Sequence, residues 1–263
     1  MVREFSIAAQ RTQEILQELL RTGRVTVDSL AQRLKVSAAT IRRDLGELER
    51  RGLLRRNHGG AVSVEPALYE PFRNVSSFQE QEEQMTAEKR RIGLAAAEMI
   101  WDGETIALGA GTTTTQVARS LRHRKGITVL TNAVNIAMEL SHQDNIKILL
   151  TGGSLSGAWF ALVGPAAIQS VSEFFIDKAF IGVDGIHAEH GLTTNYPDQA
   201  TIHRAMLQQA RQKIVVADHR KIGVAATALI WPPNGIDVFI TDRDAEEKSM
   251  EALIARGIKV HCA

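Results

Sequence analysis

Residues 37–61 read SAATIRRDLGELERRGLLRRNHGGA, and no other stretch constrains the chain as tightly. A serine hydroxyl can accept a backbone N–H from the first turn of a helix, so Ser37 predicts an N-cap. Ile41, Leu45 and Leu48 then fall at i, i+4 and i+7, which makes one apolar seam. Thr40, Arg43 and Glu47 occupy a different face, with Arg42 toward its edge. Gly52 is expected to stop the helix. Leu53 to Val62 then reads as two short strands around Gly59-Gly60.

The preceding residues supply partners for that seam. Ile15, Leu19 and Leu20 line one face of a helix expected over 8–22, with Leu16 at the edge of that face and Gly23 as its C-terminal stop. Val25 and Val27 make a short extended step. A second helix over 28–34 buries Leu30, Ala31 and Leu34, and Val36 begins a turn. Three short helices, a tight turn before the third and a hairpin after it predict a winged helix-turn-helix over residues 8–63. In that arrangement the start of the third helix points at base edges in the major groove of double-stranded DNA.

Roles follow from chemistry. Ser37 and the helix N-terminus suit a phosphate, and Thr40 lies on the same exposed face. Arg42 and Arg43 suit phosphate or guanine edges. Arg55, Arg56 and His58 lie on the ribbon, where backbone or minor-groove contact is expected. Asp44 is expected to hold a neighbouring arginine, because a free carboxylate would repel the DNA backbone.

Charge agrees with this division. The formal net charge is +1. Residues 1–63 carry 12 Arg+Lys against 7 Asp+Glu, while the other 200 carry 19 against 23. Only the front is expected to meet a polyanion. Hydrophobic residues at 44% and charged residues at 23% indicate folded rather than disordered chain. The single cysteine, Cys262, cannot form an internal disulfide, which fits a reducing compartment. No signal-peptide segment and no uncharged apolar run of roughly 18 residues is present, so a cytoplasmic location and no membrane partner are expected.

Residues 64–85 read as a linker, with Pro66 and Pro71 as helix breakers and a polar run from Gln79 to Gln84. A helix begins near Thr86, with Glu88, Lys89 and Arg90 toward solvent and an apolar stripe through Ile92, Ala96 and Ile100. From there to residue 263, strands alternate with helices. The strands are TIALGA, ITVLT, IKILLT, KAFIGV, KIVVA, VFITD and IKVHC. Near-continuous apolar strands alternating with amphipathic helices predict a mainly parallel α/β sheet covered on both faces.

Polar residues gather at the carboxyl ends of these strands, where such sheets bind ligands. Gly109, Gly111, Thr112 and Thr113 follow the first strand and open a helix, a combination suited to a phosphate. Asn132 ends the second strand, Gly152 and Gly153 the third, and Asp184 the fourth, with Gly191-Leu192-Thr193-Thr194 close behind. Asp218 and Lys221 follow the fifth.

The stretch LAQRLKVSAATIRRDLGELERRGLLRRNHGGA resembles the DNA-binding signature of the DeoR family of bacterial transcription regulators, and the resemblance runs through the body of the chain. It implies a repressor of a sugar-catabolic operon that changes its grip on DNA when a phosphorylated sugar or related metabolite binds the second domain. It also implies a Rossmann-like sensor domain of the ribose-5-phosphate isomerase and coenzyme A transferase type over 86–263. Lys221 is then the expected phosphate or carboxylate partner. Two positions depart from the family pattern: Gly109 stands where an aspartate is usual, and Gln199 where a glutamate is common. A pocket short of two carboxylates favours an anionic effector, phosphorylated or acidic.

The alternative function is a sugar-phosphate isomerase-like enzyme with a DNA-binding appendage, for which Asp184 and Lys221 would have to serve as acid and base. The missing carboxylates and the basic front argue against it, so no catalytic residues are assigned. His187 and His190, with Glu189 between them, are expected to form a surface loop. No metal and no cofactor are expected. Trp101, Trp159 and Trp231 read as packing residues, with Trp159 in a segment able to cover the pocket. A homodimer or homotetramer is expected to read two half-sites.

Overall fold

The structure is a computed structural model that describes residues 11–12, 14–19, 22–50, 53–63 and 76–263. The expected helix start at Ala8, the core position Leu20, the stop at Gly52 and the prolines Pro66 and Pro71 lie outside these residues. The chain divides into two compact units, Met1–Leu68 and Tyr69–Ala263.

In the first unit, helical residues at 11–12, 14–19 and 22 make up α1. Gly23 follows at φ +74, and its N–H donates to the Leu19 carbonyl at 2.8 Å. After β1 (Arg24–Thr26), Thr26 caps α2 (Val27–Leu34) by accepting the Ser29 N–H at 3.3 Å. Lys35 turns the chain at φ +53, and the Val36 N–H closes onto the Ala31 carbonyl at 3.1 Å. Ser37 then accepts the Thr40 N–H at 3.1 Å and caps α3 (Ala38–Arg50), as expected. The wing follows as β2 (Leu54–Asn57) and β3 (Gly60–Ser63), and β1 joins it in the antiparallel order β1-β3-β2. Gly60 has to be glycine, because a Cβ there would lie 2.0 Å from the Val25 carbonyl oxygen. Ile15, Leu19, Val25, Leu30, Ile41, Leu45, Leu48 and Leu54 form one aliphatic core. Ala31 and Leu34 sit half-buried at its rim.

The second unit opens with α4 (Ser76–Glu83) and α5 (Thr86–Glu98). The helix α4 falls in the stretch read as linker. It is held by Phe78, whose ring meets Phe160 at 5.3 Å and Trp159 at 6.3 Å, both edge-on. An ion pair from Glu82 to Arg119 at 2.9 Å adds to this anchorage.

All seven expected strands form one parallel sheet. They are β4 (Thr105–Leu108), β5 (Ile127–Thr131), β6 (Ile146–Leu150), β9 (Ile176–Ile181), β12 (Ala210–Val216), β14 (Val238–Thr241) and β15 (Lys259–Cys262). The order β15-β14-β12-β9-β4-β5-β6 runs outward from β4 in one direction and then resumes from β9 in the other. The gap between the carboxyl ends of β4 and β9 is therefore the topological switch point, where open α/β sheets bind ligands. The helices α6 (Thr112–Ser120), α7 (Val134–Leu140), α8 (Pro165–Ser172), α9 (Pro197–Gln209) and α10 (Glu247–Ile254) connect the strands.

Five short strands lie beyond the sequence expectation. They are the hairpin β7 (Ser154–Ser156) with β8 (Ala161–Val163), and the antiparallel set β10 (Gly185–His187), β11 (Gly191–Thr194) and β13 (Ala228–Trp231). At three or four residues each they are too short to show a period. Among the described residues no helix is long and apolar enough to cross a membrane.

Candidate functional site

The first unit exposes its cationic candidates on α3 and on the wing. Arg42 and Arg43 are exposed on α3, Arg55 and Arg56 are exposed on β2, and exposed His58 sits in the turn of the wing. Their acidic neighbours are occupied elsewhere. Asp44 accepts Nε and Nη2 of Arg11 at 2.5 and 3.1 Å, the arginine clamp that the sequence predicted. That bond holds the Arg11 pKa above its ordinary value. Glu47 pairs with Arg50, and Glu49 accepts the backbone N–H of Arg56 at 2.8 Å. Among the described residues, Arg42, Arg43, Arg55 and Arg56 form no ion pair. Ser37 and Thr40 share a hydroxyl contact of 2.9 Å at the N-terminus of α3.

The second unit holds a pocket of about 500 Å³, open mouth included, at the switch point between β4 and β9. Gly111, Thr112 and Thr113 form one wall where α6 begins. No side chain caps that helix, so its first N–H groups are available to a ligand. Asp184 and Lys221 form another wall, with Nζ 3.7 Å from Oδ1. The second Asp184 oxygen accepts the Thr194 hydroxyl and the Asn195 N–H, both at 2.9 Å. Asp218 accepts Nε of Arg220 at 2.8 Å. Burial works against its ionisation, but Arg220, Lys89 and Lys221 outweigh that and hold the carboxyl below the usual range.

The structure thus gathers Gly111, Thr112, Thr113, Asp184 and Lys221 as expected, while Gly109, Asn132, Gly152 and Gly153 do not line the pocket. Asn132 is fully buried and holds two loops together. Its Oδ1 accepts the Ala110 N–H at 2.9 Å, and its Nδ2 donates to the Leu162 carbonyl at 3.1 Å. Gly152, at φ +68, and Gly153, at φ +108, turn the chain into the β7–β8 hairpin, and a Cβ on Gly153 would lie 2.6 Å from the Val163 carbonyl oxygen. Gly109 faces the interior. A Cβ there would lie 2.9 Å from both His203 Nε2 and Ile181 Cδ1, so no aspartate fits without displacing them. His203 is 1% exposed, and neither ring nitrogen has a hydrogen-bond partner. Burial holds its pKa down to about 4 against the opposing charge of Asp184.

Several pocket residues carried little signal in the sequence. Lys89, read as solvent-facing in a charged run, is 3% exposed and lines the pocket. Its ammonium donates to the Gln81 carbonyl of α4. Burial lowers its pKa to about 8, with Asp218 pulling the other way and Arg220 and Lys221 adding to the fall. Trp159, Tyr196 and Gln199 line the same space. Trp159 meets Tyr196 edge-on at 5.2 Å. By contrast Trp101, read as a packing residue, is 69% exposed.

Among the described residues, two clusters elsewhere have cation-ligating types, His187 with Glu189 and His190, and His219 with Asp242 and Asp244. In the first, His187 Nδ1 accepts the Glu189 and His190 N–H groups at 3.0 and 3.4 Å, so it holds its own turn. In the second, both Asp242 oxygens receive the His219 backbone or ring, and Oδ1 also takes the Asp244 N–H at 3.1 Å.

A capped helix presenting free arginines, followed by an α/β unit with a cation-walled pocket at its switch point, defines a DNA-binding regulator with a ligand-sensing unit. Residues 11–67 match the DeoR-like helix-turn-helix domain, and residues 84–243 match the DeoR C terminal sensor domain. The chain is 35% identical over 251 residues to the HTH-type transcriptional repressor GlcR of Bacillus subtilis, covering 95% of each protein. It is 36% identical over 254 residues to the HTH-type transcriptional regulator GlpR of Haloferax volcanii, covering 97% of each. Among solved structures, ribose 5-phosphate isomerase A of Methanocaldococcus jannaschii aligns over 54% of each chain at 18% identity and a TM-score of 0.39. The chain belongs to the DeoR family of transcription regulators.

Proposed function

We propose that this chain represses a sugar-catabolic operon and that a phosphorylated or acidic sugar metabolite, bound in the second unit, controls its hold on operator DNA. The carrying observation is the state of Arg42 and Arg43, exposed on a capped helix whose carboxylates Asp44, Glu47 and Glu49 are each engaged by another group. In this reading Ser37 and Thr40 meet a phosphate, Arg42 and Arg43 meet phosphate or base edges, and Arg55, Arg56 and His58 flank them from the wing. Residues 8–63 read the DNA and residues 86–263 sense the effector. The α4 helix, inside the 64–85 connection, belongs with the sensing side. Two copies in a homodimer or homotetramer engage two half-sites, and the effector favours one arrangement over the other.

In the pocket, the N-terminus of α6 at Gly111–Thr113 and Lys221 take the anionic group, and Asp184 takes a hydroxyl. The chain works as a regulator and not as an enzyme. One oxygen of Asp184 already accepts two donors and the other faces Lys221, which suits it to binding rather than to carrying a proton, and positions 109 and 199 supply no further carboxylate for proton transfer.

The test is DNA binding by fluorescence anisotropy on the chain's own upstream DNA, with and without candidate effectors. Arg43→Ala is expected to weaken DNA binding about 10–100-fold and leave effector binding unchanged. Lys221→Ala is expected to keep DNA binding and lose the effector response. A Lys221→Ala protein that still responds normally refutes the assignment of the pocket.

A further inference from the structure

Near the switch point of the second unit, Gln199, Trp159 and His203 have buried nitrogens without a partner, and Lys89 is buried with one. Lys89 is 3% exposed, and one of its three N–H donors meets the Gln81 carbonyl. Gln199 is 5% exposed and its Nε2 has no partner; Trp159 is 9% exposed and its Nε1 has none. His203, one turn beyond Gln199 on α9, has two unpartnered ring nitrogens, but it lies beneath Gly109 rather than in the pocket wall. Lys89, Gln199 and Trp159 all line the pocket; Gln199 Nε2 and Trp159 Nε1 are donors without a partner, and Lys89 Nζ has two N–H groups beyond the one given to Gln81.

Buried donors without acceptors cost stability unless a ligand supplies the acceptors. The N-terminus of α6 and Lys221 already account for one anionic group in the proposed function. They leave the Lys89 ammonium, the Gln199 amide and the Trp159 indole unexplained. A neutral polyol answers these poorly, since each of its hydroxyls brings a donor with its acceptor. A second acceptor-only group answers all three.

We propose that Lys89, Gln199 and Trp159 form a second anion subsite, so that the effector carries two anionic groups: one over Gly111–Thr113 beside Lys221, the other, a carboxylate or a phosphate, on Lys89. The proposal rests on the pocket reading above and narrows the effector to doubly anionic sugar derivatives. The identity of residue 199 is part of the specificity, because a glutamate there would present a negative charge to the second group where the amide donates. Occupancy also reaches α4, since Lys89 holds that helix through the Gln81 carbonyl and Phe78 of α4 packs on Trp159.

The experiment is isothermal titration of the full chain with matched pairs of equal carbon number. The pairs are glycerol 3-phosphate against 3-phosphoglycerate, glucose 6-phosphate against 6-phosphogluconate, and fructose 6-phosphate against fructose 1,6-bisphosphate. The expected result is that within a pair that binds, the doubly anionic member binds about tenfold tighter or better, as charged hydrogen bonds would give. Lys89→Gln, and independently Gln199→Glu, should each erase that advantage while leaving the singly anionic member within about threefold of its original affinity. An unchanged melting transition of the second unit reports that each variant is folded there. If the singly anionic member binds as tightly as its partner, or if the advantage survives both substitutions, the second subsite is refuted and the pocket reading stands. If none of the six compounds binds, both fall together.

Discussion

The two units use polar groups in opposite ways. In the first, the candidate contact residues are exposed, and among the described residues the core is aliphatic with no buried polar side chain. In the second, Lys89, Gln199, His203 and Trp159 are all more than nine-tenths buried, the last three with nitrogens that have no partner. A polyanion is met at a surface, where cations need only be held in place and the release of counterions drives association. A small molecule is met in a cavity, where donors must be desolvated in advance to be worth anything on binding. Helix caps draw the same contrast. Thr26 and Ser37 satisfy the N-termini of α2 and α3 from within the chain, whereas α6 opens on Gly111 without a side-chain cap.

The contrast breaks most visibly if the cores are perturbed. Leu45 is fully buried in the small aliphatic cluster, and Leu45→Ala is expected to cost about 2–5 kcal/mol. A unit of this size has little stability in reserve. Calorimetry should therefore show the transition of the first unit lost or strongly lowered and that of the second unchanged, with DNA binding gone. A single transition moving as one would show that the units do not melt separately.

Acid should act on the second unit through His203. His203 is neutral in the folded chain, with its pKa held down to about 4. Unfolded, an imidazole titrates near 6.5. Above that pH both states are neutral and His203 contributes no pH dependence. As pH falls from about 6.5 to 4, the unfolded chain takes up the proton first, and the second unit loses roughly 3 kcal/mol. Melting temperature against pH should show this slope, and His203→Leu should flatten it.

Close-packed glycines separate the units again. Gly60 abuts the Val25 backbone, which cannot retreat, while Gly109 abuts the His203 and Ile181 side chains. Gly109→Ala should therefore destabilise by about 1–3 kcal/mol, and a second change, His203→Ala, should recover part of that loss. Chemical denaturation of the four members of this cycle measures the coupling. No single partner truncation should rescue Gly60→Ala. Additive losses at Gly109 and His203 would show that the two side-chain sites do not compete for space.

Much of this was legible in the sequence, and the gaps have physical causes. The seven sheet strands stand out because burial on both faces makes them apolar runs, as in VFIT over 238–241. The cap, seam and wing of the first unit stand out because each is local. The helix α4 hides in a glutamate- and glutamine-rich run because its anchorage is carried largely by Phe78 and by an ion pair to Arg119, distant in sequence. Lys89 hides for a related reason. Periodicity sends charged residues outward, and a lysine that points inward is visible only once α4 and the strand ends have been brought around it. Asn132 and Gly153 mislead in the other direction, since residues that shape a loop have the same composition as residues that touch a ligand. The aspartate missing at Gly109 was visible, but its replacement in space by His203 was not.

The smallest effect tests the caps. Ser37 is exposed and its hydroxyl takes the Thr40 N–H at 3.1 Å. Ser37→Ala should cost the first unit about 1 kcal/mol, the usual worth of such a cap. It should weaken DNA binding further if Ser37 also meets a phosphate. Ser37→Asp separates the two contributions. A carboxylate caps as well as a hydroxyl and suits the positive end of the helix, so the melting temperature should return to the original value or exceed it. The same charge repels a phosphate, so DNA affinity should fall below that of Ser37→Ala, and more so at low salt. If Ser37→Asp recovers both stability and DNA affinity, Ser37 is a cap alone and the phosphate contact belongs to the arginines.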